Sequence, residues 1–382
     1  MEKEKPEAMM KSARYFSWLG VVALVAVSFA VGPVLAQEGD AAEPDSTDQD
    51  TSGFLLLPVI FYTPETKLAG GASFLRYFRP EGATVEARPS RIWATFILTQ
   101  RGQYVADLYN ELYFQEERYL AQGGINYQKF PDKFWGVGPD TPDSNEEDYT
   151  PETLSVYASL QNRISTSFHV GGHYDLAHGR ISETEPGGLL DSGFLPGSEG
   201  GVISGVGAFI KWDTRDNIMY PTRGSYHSVA VKVYGSALGS DYDFAKYSID
   251  LRHYIPIGGR FVLAAQGLFD ASSGVVPFQK LAMLGGQNVL RGYYQGRYRD
   301  MYGVVGQVEL RAQIFWRIGA AVFAGAGNVA RRLDNFDKEY IRYSAGCGLR
   351  YTFDKDEHLN LRLDFGFGEE STGMYITALE AF

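Results

Sequence analysis

The feature that most constrains this chain is a strict two-residue alternation in segments of roughly ten residues. In "HLNLRLDFGFG", Leu359, Leu361, Leu363, Phe365 and Phe367 share one face, while Asn360, Arg362, Asp364, Gly366 and Gly368 share the other. In "GQVELRAQIFW", Val308, Leu310, Ala312, Ile314 and Trp316 oppose Gln307, Glu309, Arg311 and Gln313. "RYSAGCGLRYTF" sorts the same way, with Tyr343, Ala345, Cys347, Leu349, Tyr351 and Phe353 against Arg342, Ser344, Gly346, Gly348 and Arg350. Alternate side chains of a strand point to opposite faces, so these segments are strands with one apolar and one charged face. Two architectures accept such strands. In a soluble sandwich the apolar face makes the core and the charged face meets water. In a membrane barrel the apolar face meets lipid and the charged face lines the lumen.

Three observations favour the barrel. Residues 1–36 read as a secretory signal: Lys11 and Arg14 precede the apolar run "FSWLGVVALVAVSFAV", and the small-residue site "VLA" invites cleavage before Gln37. An uncleaved anchor helix is the alternative, and the run is short for a span. The strands are long enough to cross a bilayer when tilted, at about 9–11 residues. The chain ends on an aromatic, "MYITALEAF", with Phe382 last. Beyond the signal, no apolar run reaches membrane-helix length, which excludes a helical bundle. The single Cys347 excludes an internal disulfide and a cysteine-based zinc site. Residues 37–52, "QEGDAAEPDSTDQDTS", carry six acids and no base and read as a disordered acidic periplasmic tail. Residues 53–382 remain as one all-β domain, a transmembrane antiparallel barrel. Nothing in the charge pattern suggests nucleic acid.

Turn signals divide this domain into about sixteen strands, an even number suited to bacterial barrels. The first starts near Phe54, the sixth near Thr153 and the last near Thr372. The long connections, Pro131–Pro151, Ile181–Gly200, Ala271–Asp300 and Asn328–Glu339, all follow odd-numbered strands and so open on one side. Most connections on the other side are short, as in "QEER", "IPIGG", "WRIG" and "DKDE"; "YFRPEGATVEARPS" is the exception. Long outer loops and short periplasmic turns are the expected asymmetry. With an even strand count, both termini are expected in the periplasm, and the location expected for such a barrel is the outer membrane, with its lipid and lipopolysaccharide as surroundings.

One long connection differs from an ordinary surface loop. "GGQNVLRGYYQGRYRD", Gly285–Asp300, holds three arginines, three tyrosines and four glycines in sixteen residues. Arg291 keeps its charge at any pH and offers a planar fork suited to a carboxylate. Gly292 permits backbone geometry closed to other residues, and Tyr293 combines apolar area with a hydroxyl. In "KWDTRDNIMYPTRGSY", Asp213 and Asp216 can cap local amides, Pro221 fixes φ and Gly224 relieves the turn. His169 and His173 share a strand face but stand roughly 13 Å apart, too far to share a metal. The acidic "PDTPDSNEED" lacks ordered calcium-ligand spacing. No serine elbow or paired-histidine zinc motif is visible, so no enzyme, metal or cofactor is expected.

These stretches together resemble the BamA/TamA-type superfamily of outer-membrane assembly and translocation barrels. "LGGQNVLRGYY" is similar to its loop motif, an aliphatic-Arg-Gly-aromatic tetrad that here is Leu290, Arg291, Gly292 and Tyr293. "DTRDNIMYPTRG" resembles its periplasmic turn, "GCGLRY" and "NLRLDFGFG" its penultimate strands, and Phe382 its C-terminal insertion signal. The resemblance implies a sixteen-stranded barrel whose sixth outer loop folds into the lumen. It implies an inward acid for Arg291, with Asp364 the first candidate and Glu309 the second. An expected acid on the thirteenth strand is absent, since "FAGAG" has Gly325 there. That shifts weight to Asp364. In a partly hydrated lumen such a pair is expected to contribute about 1–3 kcal/mol. The implied function is insertion or export of proteins, or lipid transfer, at a seam between the first and last strands. Unfolded membrane-protein clients and periplasmic partners are the implied company. Relatives usually carry periplasmic POTRA domains; this chain is expected to be a form lacking them, so that either partner proteins supply their role or the barrel is a reduced relative with another job. The alternatives are a passive or structural barrel plugged by its own loop, and a barrel enzyme.

Overall fold

The alternating segments are strands in the computed structural model, which describes residues 52–63, 67–79, 90–100, 102–354 and 359–382. The signal, the acidic tail up to Thr51, and the turns at residues 80–89 and 355–358 lie outside the described residues. In chain order the strands begin with β1 (Ser52–Thr63), β2 (Lys67–Phe78), β3 (Ser90–Thr99), β4 (Tyr104–Phe114), β5 (Tyr119–Lys129) and β6 (Asp132–Phe134). Next come β7 (Glu147–Arg163), β8 (Phe168–Thr184), β9 (Gly200–Asp213), β10 (Gly224–Tyr234), β11 (Phe244–Ile257) and β12 (Phe261–Gly274). The series closes with β13 (Ala282–Leu284), β14 (Tyr298–Asp300), β15 (Tyr302–Phe315), β16 (Ile318–Ala330), β17 (Arg342–Asp354), β18 (Leu359–Gly368) and β19 (Ser371–Ala378).

Sixteen of these are long and form one up-and-down meander, each antiparallel to the next from β1–β2 to β18–β19. β6 adds a short ladder to β7, and β13 and β14 pair separately inside the long connection after β12. The connection expected over Pro131–Pro151 is therefore shorter. β7 starts at Glu147, because Asp132–Phe134 pairs with Glu147–Tyr149 and extends the strand outward. β8 likewise runs to Thr184, past Ile181. Each has 17 residues, more than the about 9–11 that a crossing needs, so their outer ends stand beyond the bilayer.

Burial decides which face is which. On β18, Phe367 is 54 % exposed while Arg362 is 1 % and Asp364 0 % exposed. Neighbouring strands repeat the inversion: Val308 and Leu349 are exposed, and Glu309, Arg311 and Arg350 are buried. A sandwich core would bury the apolar set. Charges inside and an apolar outer band are the pattern of a membrane barrel.

The outer end of the lumen carries an aromatic cap. Phe134, Tyr149, Leu190, Phe278, Leu281 and Met301 belong to one buried cluster drawn from several connections. Phe134 and Phe278 meet edge-on with centroids 5.1 Å apart, and the Arg299 guanidinium lies 5.1 and 5.6 Å from the two centroids. Full burial of such rings is worth about 1.5–3 kcal/mol each, enough to hold the connections down.

Candidate functional site

The Gly285–Asp300 stretch folds back into the barrel. The β13–β14 ladder closes its base. Its apex is pinned by a small apolar cluster of Leu284, Leu290, Tyr293, Tyr298, Val305 and Val329. Leu290 has φ 47° and Gly292 φ 121°. The first is left-handed for a residue with a Cβ, a strain of order 1–3 kcal/mol that the surrounding contacts must over-determine.

That backbone path aims Arg291 at two carboxylates. Its Nη1 donates to Asp364 Oδ2 and its Nη2 to Glu309 Oε2, each at 2.5 Å. Its guanidinium carbon sits 3.5 Å from the centre of the Phe323 ring. The acids are shared onward: Arg350 Nη1 donates to Asp364 Oδ1 at 2.5 Å, and Arg311 Nε to Glu309 Oε1 at 2.8 Å. Glu380 accepts from Arg350 Nε and Asn360 Nδ2, both at 2.9 Å. Arg362 lies 3.4 Å from Asp364 and donates to Thr377 Oγ1 and Asn288 Oδ1. Every charged side chain in this cluster is almost fully buried.

One expectation is corrected here: the pair is fully buried beneath the loop rather than in a partly hydrated lumen. Both candidate acids meet Arg291, Asp364 at one half of the fork and Glu309 at the other. The space at Gly325 belongs to the loop: a Cβ there would lie 3.3 Å from Leu290 Cδ1 and 3.1 Å from Gln307 Cβ.

The tetrad also grips the end of the barrel. The Gly292 amide donates to the Tyr375 hydroxyl at 2.9 Å, and Ser371 Oγ donates to the Gly292 carbonyl at 2.6 Å. The Tyr293 hydroxyl donates to the Tyr343 carbonyl and accepts from the Glu369 amide, both at 2.9 Å. The loop is thus bonded to β17, to the β18–β19 turn and to β19.

The turn between β9 and β10 is held by its own polar side chains and also reaches the lumen. Asp213 accepts from Arg215 Nε at 2.9 Å and Nη2 at 2.8 Å. Asp216 accepts from the amides of Asn217, Thr222 and Arg223 and from the Thr222 hydroxyl. Gly224, at φ 96°, opens β10. Pro221 is buried, and its carbonyl meets Arg311 Nη1 at 3.4 Å. Burial alone would raise the Asp216 pKa, but its hydrogen bonds from Thr222, Arg223 and Asn217 outweigh this and hold it below the usual value. The folded pKa is therefore below the unfolded value near ~3.9, so Asp216 stabilises the turn above that pH. The contribution fades as pH falls through the folded pKa. We expect Asp216→Ala to cost about 1 kcal/mol at pH 7. Chemical-denaturation curves of the two proteins should converge in strong acid; an unchanged gap there would contradict this account.

β19 stops at Ala378, and Phe382 is buried with Ala381 against Tyr254 and Ala264. Its carbonyl accepts from Arg311 Nη2 at 2.7 Å. In the folded barrel Phe382 anchors the end of the strand segment inside the lumen.

Sequence reasoning named Asp364 and Glu309 but gave no role to Arg311, Arg350, Arg362, Glu380, Phe323 or Tyr375. A signal existed for three of them. Arg311, Arg350 and Arg362 share the charged parity with the two acids. Glu380 lies beyond the last strand, where parity says nothing.

A family model described as the Omp85 superfamily domain matches residues 88–369. The fold is similar to BamA from Haemophilus ducreyi lacking POTRA domains 1–3, with TM-score 0.59 and 15 % identity over 86 % of this chain and 69 % of that one. It is also similar to CdiB from Acinetobacter baumannii, at TM-score 0.54 and 11 % identity over 86 % of this chain and 59 % of that one. CdiB from Escherichia coli gives TM-score 0.55 and 10 % identity, with 86 % and 61 % covered. The chain thus spans about three fifths of the CdiB structures. At these identities the likeness concerns the fold. No curated protein sequence matches the chain.

Proposed function

The chain belongs to the Omp85 superfamily, and from that premise we propose that it inserts or exports proteins at the outer membrane through the seam between β1 and β19. The supporting observation is the break in the meander. Among the described residues every other long strand is laddered on both sides, and no ladder joins β1 to β19. Strand amides without partners are costly in an apolar medium. A client strand that pairs with such an edge relieves that cost, as in strand addition to an open sheet. β19 has only 8 residues, which leaves little ladder to displace. The loop tetrad holds Ser371 and Tyr375 of that strand, so the plug and the seam move together in this mechanism. Residues 1–36 serve as the export signal and residues 37–52 as the periplasmic tail. Unfolded membrane proteins are the clients, and separate periplasmic proteins deliver them.

The test is reconstitution. Proteoliposomes holding this protein should speed the folding of another outer-membrane barrel relative to empty liposomes. A cysteine pair placed across the β1–β19 seam, in a Cys347→Ser background, should abolish the gain until reductant is added. Folding at the empty-liposome rate would overturn the insertion reading. Steady large conductance of the unmutated protein in planar bilayers would favour a passive pore.

A further inference from the structure

We propose that Lys246 and Lys280, with Ser272, form an anion site in the outer half of the lumen that takes a phosphate-bearing ligand. The inference is independent of the seam and of the Arg291 cluster. It begins with the β10–β11 register, which sets Lys232 directly opposite Lys246. Like charges in directly opposed positions repel, so this arrangement needs compensation.

Lys232 has it. Its Nζ donates to Asp175 Oδ2 at 2.6 Å, and the Tyr234 hydroxyl donates to the same oxygen at 3.0 Å. Asp175 reaches them from β8 across β9, where Gly205 is registered against both Asp175 and Tyr234 and leaves the way clear. Lys246 and Lys280 have no such partner: no carboxylate of a described residue forms an ion pair with either ammonium. Asp270, on the strand beside Lys246, accepts from the Ser248 hydroxyl. Ser272 is registered opposite Lys246, is 2 % exposed, and its Oγ has no hydrogen-bond partner among the described residues.

Lys280 enters from the loop side, between Phe278 and Leu281 of the aromatic cap. It lies within electrostatic reach of Lys232, Lys246 and Asp175. Burial holds its ammonium below the ordinary lysine range. Lys246 and Lys280 are half-buried rather than fully enclosed. Three ammonium groups therefore share two carboxylates under a roof of aromatic rings: Asp175, bonded to Lys232 and Tyr234, and Asp270, which attracts Lys246 but is bonded to Ser248.

A buried ammonium without a counter-charge is unfavourable, and a bound anion removes the cost. The donors are two point charges and a hydroxyl, which suits a compact oxyanion with several acceptor oxygens. A phosphate group brings about −1.5 to −2 charges and three such oxygens near neutral pH. The same chemistry is carried by a free phosphate or pyrophosphate and by an anionic lipid headgroup.

The test uses the full chain in maltoside micelles at constant ionic strength. Isothermal titration with inorganic pyrophosphate should show binding that weakens at least about tenfold in a Lys246→Met, Lys280→Met double variant. The Lys246→Arg, Lys280→Arg variant should retain it. In a second arm, native mass spectrometry compares retention of phosphatidylglycerol with that of a neutral glycolipid. Pyrophosphate binding assigns the site to soluble phosphates, and selective lipid retention alone assigns it to headgroups. Should the methionine variant fail to fold, thermal melts of the unmutated protein decide: phosphate should raise the midpoint where equal chloride does not. Binding in neither arm, equal binding by the methionine variant, or equal stabilisation by chloride would each overturn the proposal.

Discussion

Arg291→Ala is expected to destabilise the folded barrel by about 3–5 kcal/mol, the range for removing one partner of a buried ion pair. The figure should fall toward the lower end. Asp364 keeps Arg350 and Glu309 keeps Arg311, so neither acid is stranded. Loss of the Phe323 contact and of both 2.5 Å bonds still removes the contacts that hold the loop apex against the wall. The measurement is the denaturant midpoint of the heat-modifiable folded form. Asp364→Ala should be comparably damaging, and the double variant should lose less than the sum, with a coupling of about 0.5–3 kcal/mol. Strictly additive losses would mean that the two residues do not act on each other.

Gly366→Val should expel the same loop without touching a charge. Gly366 faces inward on β18, directly beneath the tetrad. A Cβ there would lie 2.6 Å from the carbonyl carbon and oxygen of Arg291 and from the Gly292 amide nitrogen. These are backbone atoms and cannot rotate away, so the loop must lift. Overpacking of this kind costs about 1–3 kcal/mol or more. The expected readout is a rise in single-channel conductance in planar bilayers, with the folded form weakened as in Arg291→Ala. Gly267→Ala on β12 is the control, because a Cβ at that position meets nothing within 4 Å. Unchanged conductance in Gly366→Val would show that the loop does not occlude the lumen.

Much of this protein was legible residue by residue. The alternation in "HLNLRLDFGFG" and "GQVELRAQIFW" sorted the inward charges from the outward apolar residues. Turn chemistry divided the strands, and the structure moved the largest boundary, at β7, because β6 pairs with its outer end. The tetrad Leu290–Tyr293 and its partner Asp364 were readable from motif and parity, with Glu309 in second place. The network around them was not. Glu380 and Phe382 follow the last strand, where no period applies, and they turn inward to Arg350 and Arg311. Tyr375 was invisible as a partner of Gly292, 83 residues away. So was the opposition of Lys232 and Lys246, which depends on the β10–β11 register.

By itself, then, the sequence determined strand, face and sign of charge, because a period of two is a local property of the backbone. Only the tertiary structure decided who meets whom across the lumen and how deeply the Arg291 cluster is buried. Those depend on how sixteen strands curl together, which brings Arg291 and Asp364 into contact across 73 residues of chain.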